Sequence, residues 1–297
     1  MKDMVDSKTC IIIPCKNEGI YMKQTLDFMY QTEARELAKI IVIDDNSNDG
    51  CCNFIKSQPN RYLNVKLVRT QGIGAARARN LGASLAINAE VLVFCDAHIT
   101  MKNNWLKVLL NSLNNEEVSL VCPGISDFNP NSPIGYGQTF DDKFQVYWMK
   151  RPKDMVEIPL APGGCMAIKR DVFDSVGGFD NGFRSWGYED VELSIKLWLF
   201  GYKIYVNPFA RVGHKFRKVQ PYEVDSTEYH YNRLRMVYSH FNQSRVDKLV
   251  IMMKDYPNYN EIMNKIINSD TFKQREDYFK NRIYDDCWFF NKFNIPF

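Results

Sequence analysis

Short apolar runs rich in β-branched residues alternate with amphipathic segments through the first hundred residues of this chain. The runs predict buried strands at 10–14, 40–43 and 91–94 and a weaker strand at 65–68. The segments between and after them predict helices at about 19–34, from 74 to about 89, and at 105–113. Buried strands that alternate with helices are typical of a mostly parallel sheet with helices on both faces, so the pattern predicts an α/β fold.

The pattern changes in the second half of the chain. Prolines and glycines interrupt it from about 118 to 168, which predicts loops and extra strands. A helix is expected at 188–200 and a strand at 203–206 that leads to His214, and the chain beyond is mainly helical. We therefore predict one domain over residues 1–221, with halves at about 8–115 and 116–221, and a helical C-terminal extension over 222–297.

Composition narrows the classes of function. The chain has 297 residues, of which 45% are apolar and 25% charged, as in ordinary globular proteins. A net charge of +3 gives little support for nucleic-acid binding, no apolar run is long enough to span a bilayer, and the N-terminus has no signal-peptide pattern. The eight cysteines form no C-x-x-C pair, so we expect reduced, mostly buried thiols, rather than disulfides or zinc ligands, and a cytoplasmic protein.

The last eleven residues, 287–297, are unusually rich in aromatic side chains for a terminus. Such a surface packs by default on its own domain, because burial of apolar area stabilises the fold. The alternatives are a second subunit, which would make the protein a homodimer, and a peptide partner.

A candidate metal site follows the predicted strand at 91–94. Asp96 and His98 are two residues apart in an extended segment, point to the same side and can reach one cation. With the distant His214, they offer one carboxylate oxygen and two imidazole nitrogens, which suit Mn²⁺ better than Ca²⁺. Such an ion can hold a diphosphate and neutralise its charge. For the tripeptide Asp96-Ala97-His98 alone, the alternative is a turn with a stray histidine.

Other polar turns fall at the same edge of the predicted sheet, where α/β proteins bind ligands. Asp44 and Asp45 end a strand. Their carboxylates are expected to accept hydrogen bonds either from a bound nucleotide or from the backbone N–H groups at the start of a helix, as a helix cap. Gly74 opens a helix that carries Arg77 and Arg79, which face either a phosphate and base or solvent. We expect three turns to converge at this edge, those at Lys16, Asp44 and Asp96.

A candidate base lies at the start of the helix predicted at 188–200. Glu189 and Asp190 follow Trp186 and Gly187. Adjacent acids at a helix start are also explained by the helix dipole alone. A base that removes a proton from an acceptor hydroxyl has to be a group such as a carboxylate beside an acceptor groove, and Asp190 fits that role, with Trp186 stacked on a sugar or peptide.

Taken together, the motifs resemble those of GT-A nucleotide-sugar glycosyltransferases, over about residues 10–238. The N-terminal half is similar to family 2, in the segments Ile13-Pro14-Cys15-Lys16-Asn17-Glu18, Ile43-Asp44-Asp45-Asn46-Ser47-Asn48-Asp49 and Ala78-Arg79-Asn80. The second half is most similar to polypeptide N-acetylgalactosaminyltransferases, in Gly163-Gly164-Cys165-Met166-Ala167-Ile168, Trp186-Gly187-Tyr188-Glu189-Asp190 and Val212-Gly213-His214-Lys215-Phe216-Arg217.

The resemblance implies a GT-A fold, with a nucleotide-binding half at 8–115 and an acceptor half at 116–221. It implies a UDP-sugar donor and Mn²⁺, or alternatively Mg²⁺, bound by Asp96, His98 and His214. It implies donor contacts from Pro14, Glu18, Asp44, Asp45, Gly74, Arg77, Arg79, Asp96 and Ala97. It implies sugar and acceptor contacts from Gly163, Gly164, Trp186 and Gly187.

One departure from the pattern bears on stereochemistry. The retaining polypeptide transferases have Glu-Asn where this chain has Glu189-Asp190, whereas Glu-Asp is the pattern of inverting relatives, in which the aspartate is the base. We therefore expect an inverting enzyme that transfers sugar to a hydroxyl or thiol of a peptide, protein or glycan, with Asp190 and Glu189 as catalytic residues. The alternatives are a retaining enzyme, a nucleotidyltransferase and a non-catalytic module that binds UDP-sugar or peptide.

Overall fold

The computed structural model describes residues 8–129, 131–217 and 219–297. Its strands are β1 (Thr9–Cys15), β2 (Lys39–Asp44), β3 (Val65–Arg69), β4 (Val91–Cys95), β5 (Ile99–Met101), β6 (Leu120–Asp127), β7 (Ile134–Gly135), β8 (Gln138–Phe140), β9 (Val146–Trp148), β10 (Val156–Glu157), β11 (Cys165–Lys169) and β12 (Ile204–His214). Its helices are α1 (Ile20–Tyr30), α2 (Ala34–Leu37), α3 (Asn53–Ser57), α4 (Ala75–Leu85), α5 (Trp105–Leu113), α6 (Arg170–Ser175), α7 (Glu189–Leu199), α8 (Ser226–His240), α9 (Gln243–Met253), α10 (Tyr259–Ile267), α11 (Thr271–Asn281) and α12 (Asp286–Lys292).

One large sheet forms the centre of the fold, in the order β10-β12-β6-β11-β4-β1-β2-β3. The four strands of the N-terminal half are parallel to one another, as the alternation of strands and helices predicts. β11 enters between β4 and β6 and is antiparallel to both, and β12 lies parallel to β6. The predicted α/β fold is therefore confirmed, and the later strands extend the sheet beyond β4.

β12 is much longer than the strand predicted at 203–206. Its pairing with β6 shifts register between Asn207 and Arg211, around Pro208, which has no N–H to donate. Beyond this irregularity the strand continues to His214, which pairs with Ile99 of β5. The long strand therefore brings His214 next to the segment that follows β4.

The predicted helix at 19–34 is two helices in the structure, α1 and α2. α1 ends at Tyr30, and the hydroxyl of Thr32 donates to the carbonyl of Met29 at 2.9 Å. A threonine hydroxyl that bonds a carbonyl at a helix end competes with continuation of the helix. The break does not affect the site, because α1 still begins directly after Gly19.

The C-terminal helices pack on the sheet domain through aromatic side chains. Phe297 and Phe241 contact Phe144 with ring centroids 4.6 and 5.6 Å apart, and Phe293 contacts Trp198 at 4.9 Å. The aromatic C-terminus thus packs on its own chain, the default expectation. The boundary at residue 221 and a homodimer stay predictions.

Two findings bear on the class of protein. In the residues that the structure describes, none of the helices combines the length and the apolar character needed to cross a membrane. All eight cysteines are free, and seven of them are buried, which confirms the expectation that most are buried, while Cys287 is exposed.

Candidate active site

A cavity of about 770 Å³ lies at the carboxyl ends of β1, β2 and β4. Because parallel strands end at the same edge, side chains far apart in the sequence meet there. Its lining includes most of the residues predicted to bind the donor and the metal, namely Pro14, Glu18, Asp45, Gly74, Arg77, Arg79, Asp96, Ala97, His98 and His214, and also Trp186, which was predicted to contact the sugar and acceptor.

Asp96, His98 and His214 form a cluster at the floor of this cavity. One ligand atom of each lies within 4.8 Å of the others, and His214 Nε2 is 3.1 Å from Asp96 Oδ2. His214 Nδ1 is buried and has no hydrogen-bond partner among the residues that the structure describes. A carboxylate and two imidazoles at this spacing are a donor set that fits Mn²⁺ or a similar divalent ion.

A carboxylate behind the cluster orients one of its histidines. Glu18 Oε2 lies 3.0 Å from His98 Nδ1, so this nitrogen is engaged and Nε2 keeps its lone pair for a ligand. Arg217 pairs with the same carboxylate, which is almost fully buried. Burial alone raises the pKa of Glu18, but the hydrogen bonds with His98 and Arg217 outweigh it and hold that pKa below its usual value. Such a carboxylate–histidine pair is the usual support of a metal ligand.

Arg79 joins the metal cluster to the candidate base region. Its guanidinium donates to Asp96 Oδ1 at 2.9 Å and to Glu189 Oε1 at 2.8 Å. Burial favours a lower pKa of Arg79, but these two carboxylates outweigh it and raise that pKa. For Asp96, burial acts to raise the pKa, while His214 and Arg79 hold it well below its usual range. Arg79 and Asp96 therefore both stay charged.

The two predicted nucleotide-binding aspartates have different surroundings. Asp45 accepts hydrogen bonds from the backbone N–H groups of Ile73 at 2.6 Å and Gly74 at 2.9 Å, and it lines the cavity. Asp44 is fully buried, pairs with Arg69 at 2.7 Å and lies outside the cavity lining. The position of Asp44 therefore does not support the predicted nucleotide contact, because its carboxylate is used to hold β3 and the turn after β2.

Gly74 is required by a close approach of two loops. Its φ is +86°, and a Cβ on it would lie 2.9 Å from the backbone oxygen of Ser185. Ser185 also accepts a hydrogen bond from the N–H of Ala75 at 2.8 Å. The loop that precedes α7 is thus fixed to the start of α4, so Trp186 lines this larger cavity and Arg77 faces it from α4.

A smaller cavity of about 230 Å³ adjoins the first and shares Asp96, His214 and Trp186 with it. Its lining includes five further predicted residues, Gly163, Gly164, Gly187, Glu189 and Asp190. A Cβ at Gly164 would lie 3.0 Å from the ring of His214, so the glycine allows the histidine to approach. The two cavities are therefore adjacent compartments around the metal cluster.

Asp190 differs from the other acids of the site, because all the groups that hydrogen-bond to its carboxylate within the described part of the chain are backbone N–H groups. Its Oδ2 accepts from Gly163 N–H at 2.7 Å and its Oδ1 from Val191 N–H at 2.9 Å. Burial and the neighbouring charge of Glu189 raise the pKa of Asp190 to about 6. Glu189 is bound by Arg79 and by the N–H of Gly187 at 2.9 Å. A carboxylate with a pKa near neutrality is suited to accept a proton, whereas Glu189 serves to position Arg79.

A family model described as glycosyl transferase family 2 matches residues 10–177, more than half of the chain. The chain belongs to glycosyltransferase family 2. A second model, described as the N-terminal domain of galactosyltransferase, matches residues 151–220, which include the candidate base region.

The relatives of this family 2 chain include polypeptide N-acetylgalactosaminyltransferases. Polypeptide N-acetylgalactosaminyltransferase 4 of Mus musculus is 32% identical over 237 residues, which cover 72% of this chain and 40% of the relative. Polypeptide N-acetylgalactosaminyltransferase 10 of Homo sapiens is 32% identical over 238 residues, which cover 73% of this chain and 39% of the relative. The chain thus spans about two fifths of the length of these relatives.

Solved structures confirm the GT-A fold for this family 2 chain. GalNAc-T7, in a crystal structure with UDP, GalNAc and Mn²⁺, matches with a TM-score of 0.78 and 25% identity, over 96% of this chain and 56% of that chain. The mannosyltransferase PcManGT from Pyrobaculum calidifontis, in complex with GDP-Man and Mn²⁺, matches with a TM-score of 0.56 and 18% identity, over 92% and 74%.

Sequence reasoning missed several residues of the family 2 site. Arg217 and Tyr222 line the larger cavity, and Trp148 and Tyr229 line the smaller one. Tyr229 stacks on Trp186 with ring centroids 6.0 Å apart. Arg217 follows three residues after His214, so its place beside the metal motif is the one signal that pointed to it. Trp148 and Tyr229 lie in segments without a motif, and only the tertiary structure brings them to the cavity.

Proposed function

We propose that the chain is a metal-dependent glycosyltransferase that moves a sugar from a UDP-sugar to a hydroxyl, or thiol, of a peptide, protein or glycan, with inversion at the anomeric carbon. The observation that carries the proposal is the adjacency of two compartments, one with the Asp96, His98 and His214 cluster and one with Asp190. A donor and an acceptor need such compartments side by side, because the reacting atoms have to meet.

The donor is assigned to the larger cavity. A Mn²⁺ ion held by Asp96, His98 and His214 supplies positive charge for a diphosphate. Asp45 and Arg77 are placed to contact the nucleoside, and Pro14, Gly74 and Ala97 form the adjacent walls. The relatives support this assignment, since the GalNAc-T7 structure contains UDP and Mn²⁺. Mg²⁺ is the alternative ion, because it also accepts carboxylate ligands.

The acceptor is assigned to the smaller cavity. Asp190 takes the proton of the acceptor hydroxyl while the acceptor oxygen forms a bond to the anomeric carbon and the bond to the diphosphate breaks. Gly163 donates an N–H to Asp190 and keeps its carboxylate oriented toward this cavity. Trp186 and Gly187 form the wall where the sugar and acceptor meet, and the exposed face of Trp186 suits stacking on a sugar or peptide.

Retention is the second candidate, and the relatives favour it. Polypeptide N-acetylgalactosaminyltransferases are 32% identical to this chain, and the resemblance implies that they retain configuration. The two mechanisms differ in one observable, the anomeric configuration of the product. The cytoplasmic location predicted from the cysteines stays a prediction.

A screen for UDP release tests the proposal. Purified protein is incubated with Mn²⁺, a panel of UDP-sugars and a panel of peptide and glycan acceptors, and product from an active pair is examined by nuclear magnetic resonance. We expect UDP release with at least one donor and a product of inverted configuration. A retained configuration would replace the inverting assignment. Binding of UDP-sugar without UDP release from any pair would leave the non-catalytic module as the correct function.

A further inference from the structure

Three cysteines from two segments meet beside the donor cavity. Cys15 is the last residue of β1, and Cys51 and Cys52 lie in the turn before α3. The sulfur of Cys15 is 3.5 Å from that of Cys51 and 3.5 Å from that of Cys52, and the last two are 3.9 Å apart. All three side chains are buried, with at most 6% of the residue exposed. The proposed transfer reaction uses none of them.

This near-equilateral arrangement matches the geometry of metal-bound sulfurs. Sulfurs at the corners of a tetrahedron around an ion about 2.3 Å away lie about 3.8 Å apart. Neutral thiols are weak hydrogen-bond donors and acceptors, so contacts between them do not account for bringing three together. A disulfide joins two sulfurs and leaves the third unexplained. We propose that Cys15, Cys51 and Cys52 bind one thiophilic metal ion, separate from the Mn²⁺ cluster.

The donor set narrows the class of ion. Among the residues that the structure describes, no carboxylate or imidazole joins these three sulfurs within the same 4.8 Å grouping. Thiolates without oxygen or nitrogen ligands select soft ions, namely Cu⁺ or Zn²⁺, over Mn²⁺ and Mg²⁺. Three protein ligands suit a three-coordinate Cu⁺, whereas Zn²⁺ takes a fourth ligand from solvent on the cavity side, which Cys15 lines.

The location gives the ion a structural consequence for the donor site. The loop after β1 and the loop after β2 already join through hydrogen bonds from Asn17 N–H to Ser47 Oγ at 3.0 Å and from Gly19 N–H to Asp49 Oδ2 at 2.8 Å. The first loop carries Glu18, which orients His98. An ion that bridges Cys15 to Cys51 and Cys52 adds a cross-link between the same two loops, so it stabilises the wall of the donor cavity.

A thiolate-specific titration tests the proposal without any assay of transfer. The reduced full-length protein, freed of metal under anaerobic conditions, is titrated with Cd²⁺, whose charge-transfer absorption reports sulfur ligands and is silent for the Asp96, His98 and His214 cluster. We expect saturation at about one ion per chain. Competition with Zn²⁺ and with Cu⁺ then identifies the preferred ion.

Variants and chemical mapping show whether the Cd²⁺ ion is bound by Cys15, Cys51 and Cys52 or by other cysteines. Cys51→Ser and Cys52→Ala are expected to weaken binding by more than tenfold, because loss of a group that merely supports a metal ligand already costs about 10- to 100-fold. Cys10→Ser is the matched control, because Cys10 lies on the same strand as Cys15 and is equally buried, and it should bind normally. If the variants do not fold, alkylation of the wild type with and without Cd²⁺, mapped by mass spectrometry, gives the same answer by showing which cysteines the ion protects.

Two results would overturn the proposal. One is the absence of a Cd²⁺ charge-transfer absorption, or an absorption that persists in both variants while Cd²⁺ protects cysteines outside the cluster from alkylation. The other is a disulfide in the freshly purified protein, detected as six rather than eight free thiols after denaturation, if the missing pair maps to these residues.

Discussion

The two compartments of the site hold their charged groups in opposite ways. In the metal corner, the part of the site formed by Asp96, His98 and His214, the carboxylate of Asp96 has Arg79 and His214 within hydrogen-bond distance. The pKa of Asp96 is held well below the usual range. In the acceptor corner, the part of the site around Asp190 and Glu189, the hydrogen bonds that Asp190 accepts from the described residues all come from backbone N–H groups, and burial beside Glu189 raises its pKa to about 6. The first environment keeps a carboxylate charged for binding, and the second prepares one to accept a proton. Local surroundings thus separate the proposed roles of two acids that share one site.

Loss of a metal ligand is expected to have the largest effect. His214→Ala removes one of the three proposed ligands, and a metal contributes several kcal/mol to stabilising charge on a diphosphate, so turnover should fall by about ten-thousandfold. Mn²⁺ affinity, measured by calorimetry, should fall in parallel. His230→Ala is the control for Mn²⁺ affinity, because His230 packs on Tyr256 and Tyr229 and lines neither cavity itself. Unchanged Mn²⁺ affinity in His214→Ala would remove His214 from the metal corner.

Loss of the proposed base, Asp190, is expected to change the function of the acceptor corner alone. Asp190→Asn keeps the shape of the side chain but not its capacity to accept a proton, so kcat should fall by about a thousandfold. The affinity for UDP and Mn²⁺ should stay close to that of the wild type. Asp174→Asn, in an exposed ion pair with Arg170, serves as the control. Full turnover by Asp190→Asn would show that the base is another group.

The support of the metal ligands should matter less than the ligands themselves. Glu18→Gln keeps a side chain of similar size but loses the charge that pairs with His98 and Arg217, so Mn²⁺ affinity should fall by about 10- to 100-fold. Glu36→Gln, at an exposed position of α2, provides a matched substitution. Equal affinities for the two variants would mean that His98 does not depend on Glu18.

The pH dependence of turnover also distinguishes the metal corner from the acceptor corner, and its expected effect on turnover is the smallest of the four. Asp190 must be deprotonated to act as a base, and its pKa is raised to about 6, so kcat/KM should be level above that pH and fall about tenfold per unit below it. The profile is recorded at saturating Mn²⁺, with Mn²⁺ affinity measured at each pH. A decline that follows metal affinity alone would assign the titration to the metal corner.

The sequence predicts the metal corner better than the acceptor corner for a physical reason. Asp96 and His98 are two residues apart on one strand end, so local periodicity places them together. His214 is 118 residues from Asp96, and only the Val-Gly-His motif pointed to it. No local signal predicts that Arg217 pairs with Glu18, 199 residues away. The strand alternation predicted the N-terminal fold equally well, because β1, β2 and β4 each have a buried apolar run.

The prediction for Asp44, which its position does not support, shows the same limit. Asp44 ends a strand next to Asp45 and has the same chemistry, yet the side chains of successive residues point to opposite sides of a strand. Asp45 therefore reaches the cavity, while Asp44 is buried against Arg69. The cysteines show a similar limit, because no spacing in the sequence indicates that Cys15 meets Cys51 and Cys52.

Binding of UDP in the presence and absence of Mn²⁺ tests the central claim most directly, because it requires neither the acceptor nor the correct sugar. Calorimetric titration of the wild type should give tight UDP binding with Mn²⁺, and binding weaker by at least about a hundredfold after the metal is chelated. His214→Ala should bind UDP weakly in both conditions. UDP affinity that is the same with and without Mn²⁺ would contradict the assignment of Asp96, His98 and His214 as the diphosphate-binding metal site.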